Sequence, residues 1–546
     1  MDHSDSEPPS TVGGLLAKSV ARRGNHQAIV MRAETLTYDQ FEQRTSKMAR
    51  ALLATGAGKG TRIAILAPDG IYWLTAYFAA MRIGAVVATV STLATPTELA
   101  HILRNSDTQI LIAARRFLRH EYAERLEATL PGLTTQKAGA LRLPCGPYLR
   151  SIWLDDADGV AWAQPTSELI ARADGPDAPN EQLLAAIEAE VHSSDPCMIV
   201  YTSGSTALPK AVMHRQWSIA RQAYELARQF CIKEGDRMMP LLPTFWVGGI
   251  SMALEVLGTG GTLIYPDSPA TEVVLKAITD FGVNRLNTWG PQQAKLREAV
   301  AAAGIDPETI GGLAQPRDKQ GVPIPQRLQA NMLGMTESFC PHSSEPLDTR
   351  LPDDKAGSSG RAMNGIERRV VDPETGEPVP FGTVGELQLR GGALMIGFYK
   401  VDPSQVFTRD GFYPTNDLVR MEEDGHLYFH ARRGDMLKVS GANVSRLEVQ
   451  AALAAIPEVD LPIVVGLSDG GFGQIVIAGV VPKEGHAPAE DYLKTELRKT
   501  LSSFKVPRNI VLLRADEVQW TPSNKVKLTE MTEVIAGKIE KVSAST

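Results

Sequence analysis

The chain has 546 residues, of which 43% are hydrophobic and 22% charged. That length exceeds one simple core and predicts several domains, and the composition is that of an ordinary globular protein. A net charge of −7 at pH 7 excludes general binding of nucleic acid or anionic membrane as the main property.

The four cysteines, Cys145, Cys197, Cys231 and Cys340, show no CxxC or metal-ligand spacing. In so long a chain this points to a reducing compartment. The N-terminus, MDHSDSEPPS, is polar and has no signal-peptide core. The most apolar region, 71–90, is interrupted by Arg82 and Gly84 and reads as helix, turn and strand, with no membrane span. A cytoplasmic location is the expectation.

Residues 1–12 read as a disordered leader. Thr37-Tyr38-Asp39-Gln40 has capping-box spacing and opens a helix with Phe41, Met48 and Leu52 on one side. Arg62-Ile63-Ala64-Ile65-Leu66 reads as a strand. Asp69 is a candidate N-cap for a helix over 71–83, with Gly84 at its end. Residues 86–90 form the next strand. Strands alternating with helices imply a parallel α/β sheet.

Residues 135–195 are irregular, apart from an amphipathic helix predicted over 180–191. Ile219, Ala223, Leu226 and Phe230 share one helical face, and Leu263-Ile264-Tyr265 reads as a buried strand. The texture changes after about residue 355. Alternation over 382–390, and Asp424-Gly425 set between Val419/Met421 and Leu427/Phe429, predict a small antiparallel subdomain. A second change falls at Arg432-Arg433-Gly434-Asp435, where Gly434 is a natural flexible joint. The domains expected are a leader over 1–12, an N-terminal domain over 13–433 and a C-terminal domain over 434–546.

One stretch organises the rest: Tyr201-Thr202-Ser203-Gly204-Ser205-Thr206-Ala207-Leu208-Pro209-Lys210. The apolar run Cys197-Met198-Ile199-Val200-Tyr201 feeds into it as a buried strand. Its hydroxyls and backbone N–H groups can converge on one anion, and Lys210 adds a point charge suited to phosphate. It is not a Walker A loop, since no GxxxxGK[ST] occurs. Alone, it reads first as an ordinary Ser/Gly turn.

The downstream sequence changes that balance. Gly334-Met335-Thr336-Glu337-Ser338, Tyr413-Pro414-Thr415-Asn416-Asp417, Arg432, Lys438-Val439-Ser440-Gly441-Ala442-Asn443-Val444 with Glu448, Phe504-Lys505-Val506-Pro507-Arg508 and Pro522-Ser523-Asn524-Lys525 come in that order. With the early strand Lys59–Leu66, this series resembles the adenylate-forming superfamily of acyl-CoA synthetases, luciferases and peptide-synthetase adenylation domains. The resemblance spans most of the chain. It implies a large N-terminal domain of α/β subdomains with a small antiparallel β subdomain, followed by a smaller, mobile α+β C-terminal domain.

The resemblance also implies residue roles. Thr202, Ser203, Gly204, Ser205, Thr206 and Lys210 would hold the β- and γ-phosphates of ATP. Thr336 would bond the α-phosphate, and Glu337 would hold Mg²⁺, which favours carboxylate oxygen. Asp417 and Arg432 would take the ribose. Lys525 would bridge the attacking carboxylate and the α-phosphate, offsetting the repulsion of two anions. Lys438 would act in a second domain orientation, reached by rotation about Gly434.

Phe245, Trp246, Gly248, Leu333 and Met335 lie where the family builds its acyl pocket. No aspartate follows the aromatic pair, so an apolar acid, fatty, aryl or alicyclic, is the expected substrate. His214 and His342 read as structural histidines. The segment after Lys525 is too short for a carrier domain, so a free acceptor is expected, coenzyme A being the commonest. The activity implied is formation of an acyl-adenylate and its transfer to coenzyme A. The alternatives are an acyl-AMP ligase loading a separate carrier protein and a non-catalytic nucleotide-binding homologue. The chain departs from the family pattern at Ala207, Ala211, Leu333, Asn416 and Asn524.

Overall fold

A computed structural model of the chain describes residues 9–202, 209–287, 290–439, 442–468, 474–501, 505–521 and 525–543; the side chains of 290–292, 434, 436, 438, 442, 443 and 541–543 are not among those described. Most of the expected leader therefore lies outside the described residues. Val12 opens the first helix, Val12–Arg23, and the Thr11 hydroxyl caps it by accepting from Gly14 N.

The chain forms two compact units. One comprises Met1–Arg368, Leu389–Tyr413 and Asp424–Leu427, and the other Arg369–Gln388, Pro414–Glu423 and Tyr428–Thr546. The first unit holds an eight-stranded sheet. Its spatial order is Gly397–Phe398, Lys210–Arg215, Pro196–Thr202, Val86–Thr89, Arg62–Leu66, Ile110–Ala113, Ser151–Leu154 and Gln164–Pro165. The centre is parallel: Ala64 pairs with Ala88 and with Leu111, and Ile199 with Ala88. These strands are buried on both faces, so they read as continuous apolar runs.

The predicted capping box is present. The Thr37 hydroxyl accepts from Gln40 N and the Gln40 side chain accepts from Thr37 N, opening Tyr38–Ala54 with Phe41, Met48 and Leu52 buried. The next helix, Ile71–Arg82, differs from expectation. Gly70, and not Asp69, is its N-cap, and no side chain caps it. Asp69 is drawn off by a stronger partner: its carboxylate accepts from Thr244 N at 2.7 Å and Thr244 Oγ1 at 2.5 Å. Ile219, Ala223, Leu226 and Phe230 are all buried on or just past the helix Gln216–Gln229.

A second sheet in this unit orders Arg285–Asn287, Arg237–Pro240, Thr262–Ile264, Gln27–Val30 and Thr35–Thr37. Its two chain-distant halves join where Ile29 pairs in parallel with Leu263. The helix Val247–Thr259 follows the strand Arg237–Pro240 through the loop 241–246.

The second unit holds most of a four-stranded sheet ordered Glu367–Val371, Val384–Arg390, Tyr413–Met421 and Leu427–Arg432. This is where alternation anticipated an antiparallel piece, and Asp424-Gly425 lies in its last connection, with Gly425 at φ +86°. The same unit holds an α+β fold. Val459–Ser468 pairs antiparallel with Gln474–Pro482, which pairs in parallel with Asn509–Leu512. The helices Arg446–Ala454, Glu490–Leu497 and Leu528–Ser543 bury residues such as Leu453, Leu493 and Ile535 against it. Among the described residues, no helix is long and apolar enough to cross a membrane.

Candidate active site

The organising stretch is the connection between two antiparallel strands at the heart of the first unit. Pro196–Thr202 leads in and Lys210–Arg215 leads out, with Thr202 directly opposite Lys210. Ser203, Gly204, Ser205, Thr206 and Ala207 lie outside the described residues. Lys210 is exposed, and its Nζ stands 5.3 Å from the centre of the Phe398 ring. Ala211 is buried in the strand with Val86 and Ile199, so an alanine there meets the geometry of an extended residue and needs no glycine.

Thr336 and Glu337 sit on a tight turn, Thr336–Ser338, between the short strands Leu333–Met335 and Cys340–Ser344. The hairpin is narrow at its base. A Cβ on Gly334 would stand 2.5 Å from Pro341 Cα, so only glycine fits. Phe339 and Cys340 follow with positive φ, at +47° and +85°. Neither is a residue that adopts this region readily, which marks the turn as held by its surroundings.

Three contacts hold it. His214 Nε2–H donates to Thr336 O at 2.9 Å; only a protonated ring nitrogen can donate to a carbonyl, which fixes the tautomer. Met395 N donates to Glu337 O at 2.7 Å. Tyr413 Oη donates to Glu337 Oε1 at 3.2 Å. Glu337 is buried, so the turn aims a carboxylate inward. His214 and Tyr413 are the functional candidates that sequence reasoning passed over. Tyr413 opens one of the ordered motifs, but its bond to Glu337 spans 76 positions of chain.

Burial is the largest cause of a lowered pKa at both site histidines. It brings His214 down to about 4, and His342 down to about 3 with help from the Arg368 charge. Both imidazoles are neutral at pH 7, as structural histidines are. His342 is fully buried, with Nδ1 2.9 Å from Ser343 Oγ.

The expected acyl-pocket residues are anchored together in the same unit. Phe245 and Trp246 meet edge to face with centroids 5.4 Å apart. Their loop is fixed by Asp69, through Thr244, and by Thr89 Oγ1, which donates to Phe245 O at 3.0 Å. The helix Val247–Thr259 starts at once, with Gly248 half-buried in its first turn. Cys340 Sγ lies 3.4 Å from Val247 O. Cys340 also pairs with Met335. This joins the aromatic loop to the hairpin that carries Leu333, Met335, Thr336 and Glu337.

In the second unit, Asp417 is buried and Arg432 half-exposed, with Arg432 Nε 3.8 Å from Asp417 Oδ1. Asn416, standing before Asp417, has φ +61°. Asn tolerates this left-handed region, so the substitution keeps the backbone path. Glu386 supports the same strand: it accepts from Asn416 N at 3.1 Å and lies 3.8 Å from Arg433 Nη1.

Gly434 falls in the turn Arg433–Asp435. Just beyond it, Asp435 is pinned by Arg446 at 2.6 Å. Lys438 pairs with Asn443 in the hairpin of Met436–Val439 and Ala442–Ser445, and its side chain lies outside the described ones. Glu448 pairs with Lys505 at 2.7 Å, joining two of the motifs. Lys525 is exposed; Thr521 N donates to Lys525 O at 2.7 Å and Lys525 N to Thr521 Oγ1 at 3.0 Å. Asn524 lies outside the described residues.

The donor set fits Mg²⁺ in one respect. Among the described residues no group of three or more His, Cys, Asp or Glu side chains could cage a metal. Mg²⁺ usually keeps its waters and binds through one or two carboxylates plus substrate phosphates, and a lone buried Glu337 offers that.

Residues 16–399 match the AMP-binding enzyme family, and residues 448–525 match the AMP-binding enzyme C-terminal domain. The chain belongs to the AMP-binding enzyme family. It is 27% identical to the putative acyl-CoA synthetase YngI of Bacillus subtilis (strain 168), over 96% of this chain and 97% of that protein. It is also 27% identical to the fatty acid–[acyl-carrier-protein] ligase ScoC of Streptomyces coeruleorubidus, over 93% of each. The fold is that of the anthranilate CoA ligase AuaEII in complex with anthranoyl-AMP, with a TM-score of 0.73, 21% identity, and coverage of 98% of this chain and 99% of that one.

Proposed function

We propose that this enzyme activates a carboxylic acid with ATP to an acyl-adenylate and transfers the acyl group to coenzyme A, releasing pyrophosphate and AMP. The observation that carries the reading is the 2.9 Å bond from His214 to Thr336 O. It fastens the strand leaving the Ser/Thr/Gly stretch to the turn bearing Thr336 and Glu337. Thr202 and Lys210, which bound that stretch, and the Thr336–Glu337 turn thus lie on elements tied together within the first unit.

Thr202, Ser203, Gly204, Ser205, Thr206 and Lys210 hold the pyrophosphate side. Thr336 bonds the α-phosphate, and Glu337 holds Mg²⁺, which supplies charge neutralisation there. Asp417 and Arg432 take the ribose. Lys525 stabilises charge as the carboxylate attacks the α-phosphate and the pyrophosphate leaves. Lys438 serves the thioester half-reaction after rotation about Gly434, so the domain organisation of 13–433 and 434–546 is part of the proposal. Phe245, Trp246, Gly248, Leu333 and Met335 line the acyl site. The names of YngI and AuaEII support coenzyme A as the acceptor; that of ScoC supports a carrier protein as the second reading.

The test is a panel of carboxylic acids with ATP and Mg²⁺, scored for pyrophosphate and AMP with and without coenzyme A, with direct detection of thioester. Thioester that depends on coenzyme A is expected. Acyl-AMP that persists without thioester gives the reaction to a carrier protein. No pyrophosphate with any acid, while ATP still raises thermal stability, makes the protein a non-catalytic nucleotide binder.

A further inference from the structure

The helix Val247–Thr259 carries a stripe of Gly248, Ser251, Met252 and Glu255, spaced i, i+3, i+4 and i+7 along one face. Gly248 belongs to the acyl site at the helix's start. Ser251 and Glu255 continue the same face inward, each 1% exposed. They connect to the acyl site through Cys340. Its thiol donates to Val247 O at 3.4 Å, and Ser251 and Glu255 both lie close enough to bear on it electrostatically.

Glu255 is half-satisfied. Ser251 Oγ donates to Oε1 in a very short contact. Oε2 is buried without a hydrogen-bond partner among the described residues. Buried carboxyl oxygens are seldom left unpaired, and an orphan in a native structure asks for an explanation. Arg285 is near enough to affect Glu255 electrostatically, but its guanidinium is engaged by Asp236, Phe230 O and Cys231 O.

We propose that Glu255 is the specificity-determining group at the inner end of the acyl site, taking carboxylic acids whose far end carries a hydroxyl or amino group. This rests on the acyl-activating function proposed above and narrows its substrate class. Such an acid has an apolar body, which Phe245, Trp246 and Met335 suit, and one polar group at the end away from the reacting carboxyl. A hydroxyl can donate to Oε2 and can also accept from it, so it completes the pair in either protonation state, and an amino group completes it by donating to the ionised form. Burial pushes the Glu255 pKa up to about 8, so the carboxyl is available in its neutral form near pH 7. An acid lacking the polar end leaves Oε2 unpaired, and sites built around a polar contact discriminate most strongly against that loss.

The experiment uses the full chain and matched pairs of acids, each aryl or alkyl skeleton with and without a terminal hydroxyl or amino group. Two quantities are read: kcat/KM by pyrophosphate release, and thermal shift by the acid alone. The acid bearing the polar end is expected to be preferred by roughly tenfold or more. Glu255→Leu should collapse that preference, mainly through KM, while Glu255→Gln, which keeps a polar end, should retain most of it. Ser251→Ala gives a milder second variant should Glu255→Leu fail to fold, and a reduced preference is expected. No preference in the wild type, or a preference that survives both Glu255→Leu and Ser251→Ala, overturns the proposal and leaves adenylation standing. If no acid yields pyrophosphate, the thermal shifts still decide the point: shifts specific to the polar-ended acids and lost in Glu255→Leu uphold it, and their absence overturns it.

Discussion

His214 Nε2 donates to the backbone carbonyl of Thr336 across 2.9 Å, joining residues 122 positions apart. The same carbonyl accepts from Phe339 N at 3.0 Å, so it takes two bonds at the turn that carries Glu337. The buried neutral imidazole thus sets the position of the turn. His214→Ala should lower kcat for adenylation about tenfold or more, with a smaller change in KM for the acid. It should also cost roughly 2–4 kcal/mol of stability, as truncation of a large buried group does. Denaturant titration and single-turnover pyrophosphate release check the two effects; unchanged kcat in a folded variant would remove the positioning role.

Tyr413→Phe deletes the hydroxyl that reaches Glu337 at 3.2 Å. A hydrogen bond to a charged group of this kind contributes roughly 1.5–3 kcal/mol, so the fold should survive. The Mg²⁺ concentration giving half-maximal adenylation should rise severalfold. A Mg²⁺ titration checks this, and an unmoved midpoint would show that Tyr413 does not orient Glu337.

Lys525 is exposed, and its backbone hydrogen bonds are local. Lys525→Ala should leave thermal stability unchanged and lower adenylation by about 3–4 kcal/mol of transition-state stabilisation. Thioester formation from supplied acyl-AMP should be spared. Equal loss of both half-reactions would refute the division of work between Lys525 and Lys438.

Asn416 at φ +61° predicts a contrast between two substitutions. Asn416→Ala should lower stability by roughly 1 kcal/mol, because a Cβ without a compensating polar group fits the left-handed region poorly. Asn416→Gly should be near neutral. Thermal melts separate the pair, and similar melting temperatures for both would mean the strand re-forms around the change.

Two buried histidines contribute to the pH response. Their folded pKa values, about 4 for His214 and about 3 for His342, lie below the ordinary value of 6.5. Between pH 6.5 and 4 the unfolded chain therefore binds more protons, so stability falls as the protein is acidified through that window. Each histidine contributes up to about 1.4 kcal/mol per pH unit there. Glu255, raised to about 8, acts in the opposite sense and loses stability as pH rises from about 4.5 to 8. Denaturant titrations from pH 7.5 to 4.5 should show a shallower acid slope for His342→Leu than for the wild type; equal slopes would count against a buried neutral imidazole at 342.

Much was legible in the chain. The apolar runs 62–66, 86–90 and 197–201, the capping box at Thr37 and the left-handed tolerance of Asn416 are local facts, set by side-chain burial pattern and backbone sterics. The ordered motifs named the family before any contact was known. The pairing of distant groups was beyond the reach of sequence. Asp69 has the chemistry of a helix cap and the position of one, yet Thr244, 175 positions away, takes its carboxylate. His214 binding Thr336, Tyr413 binding Glu337 and Glu255 standing beside Ser251 and Cys340 are also products of packing. Residue types and short-range order come from spacing and sterics along the chain. Protonation state, tautomer and the partner of each buried polar group come only with the tertiary fold, because burial and hydrogen bonding between distant segments set them.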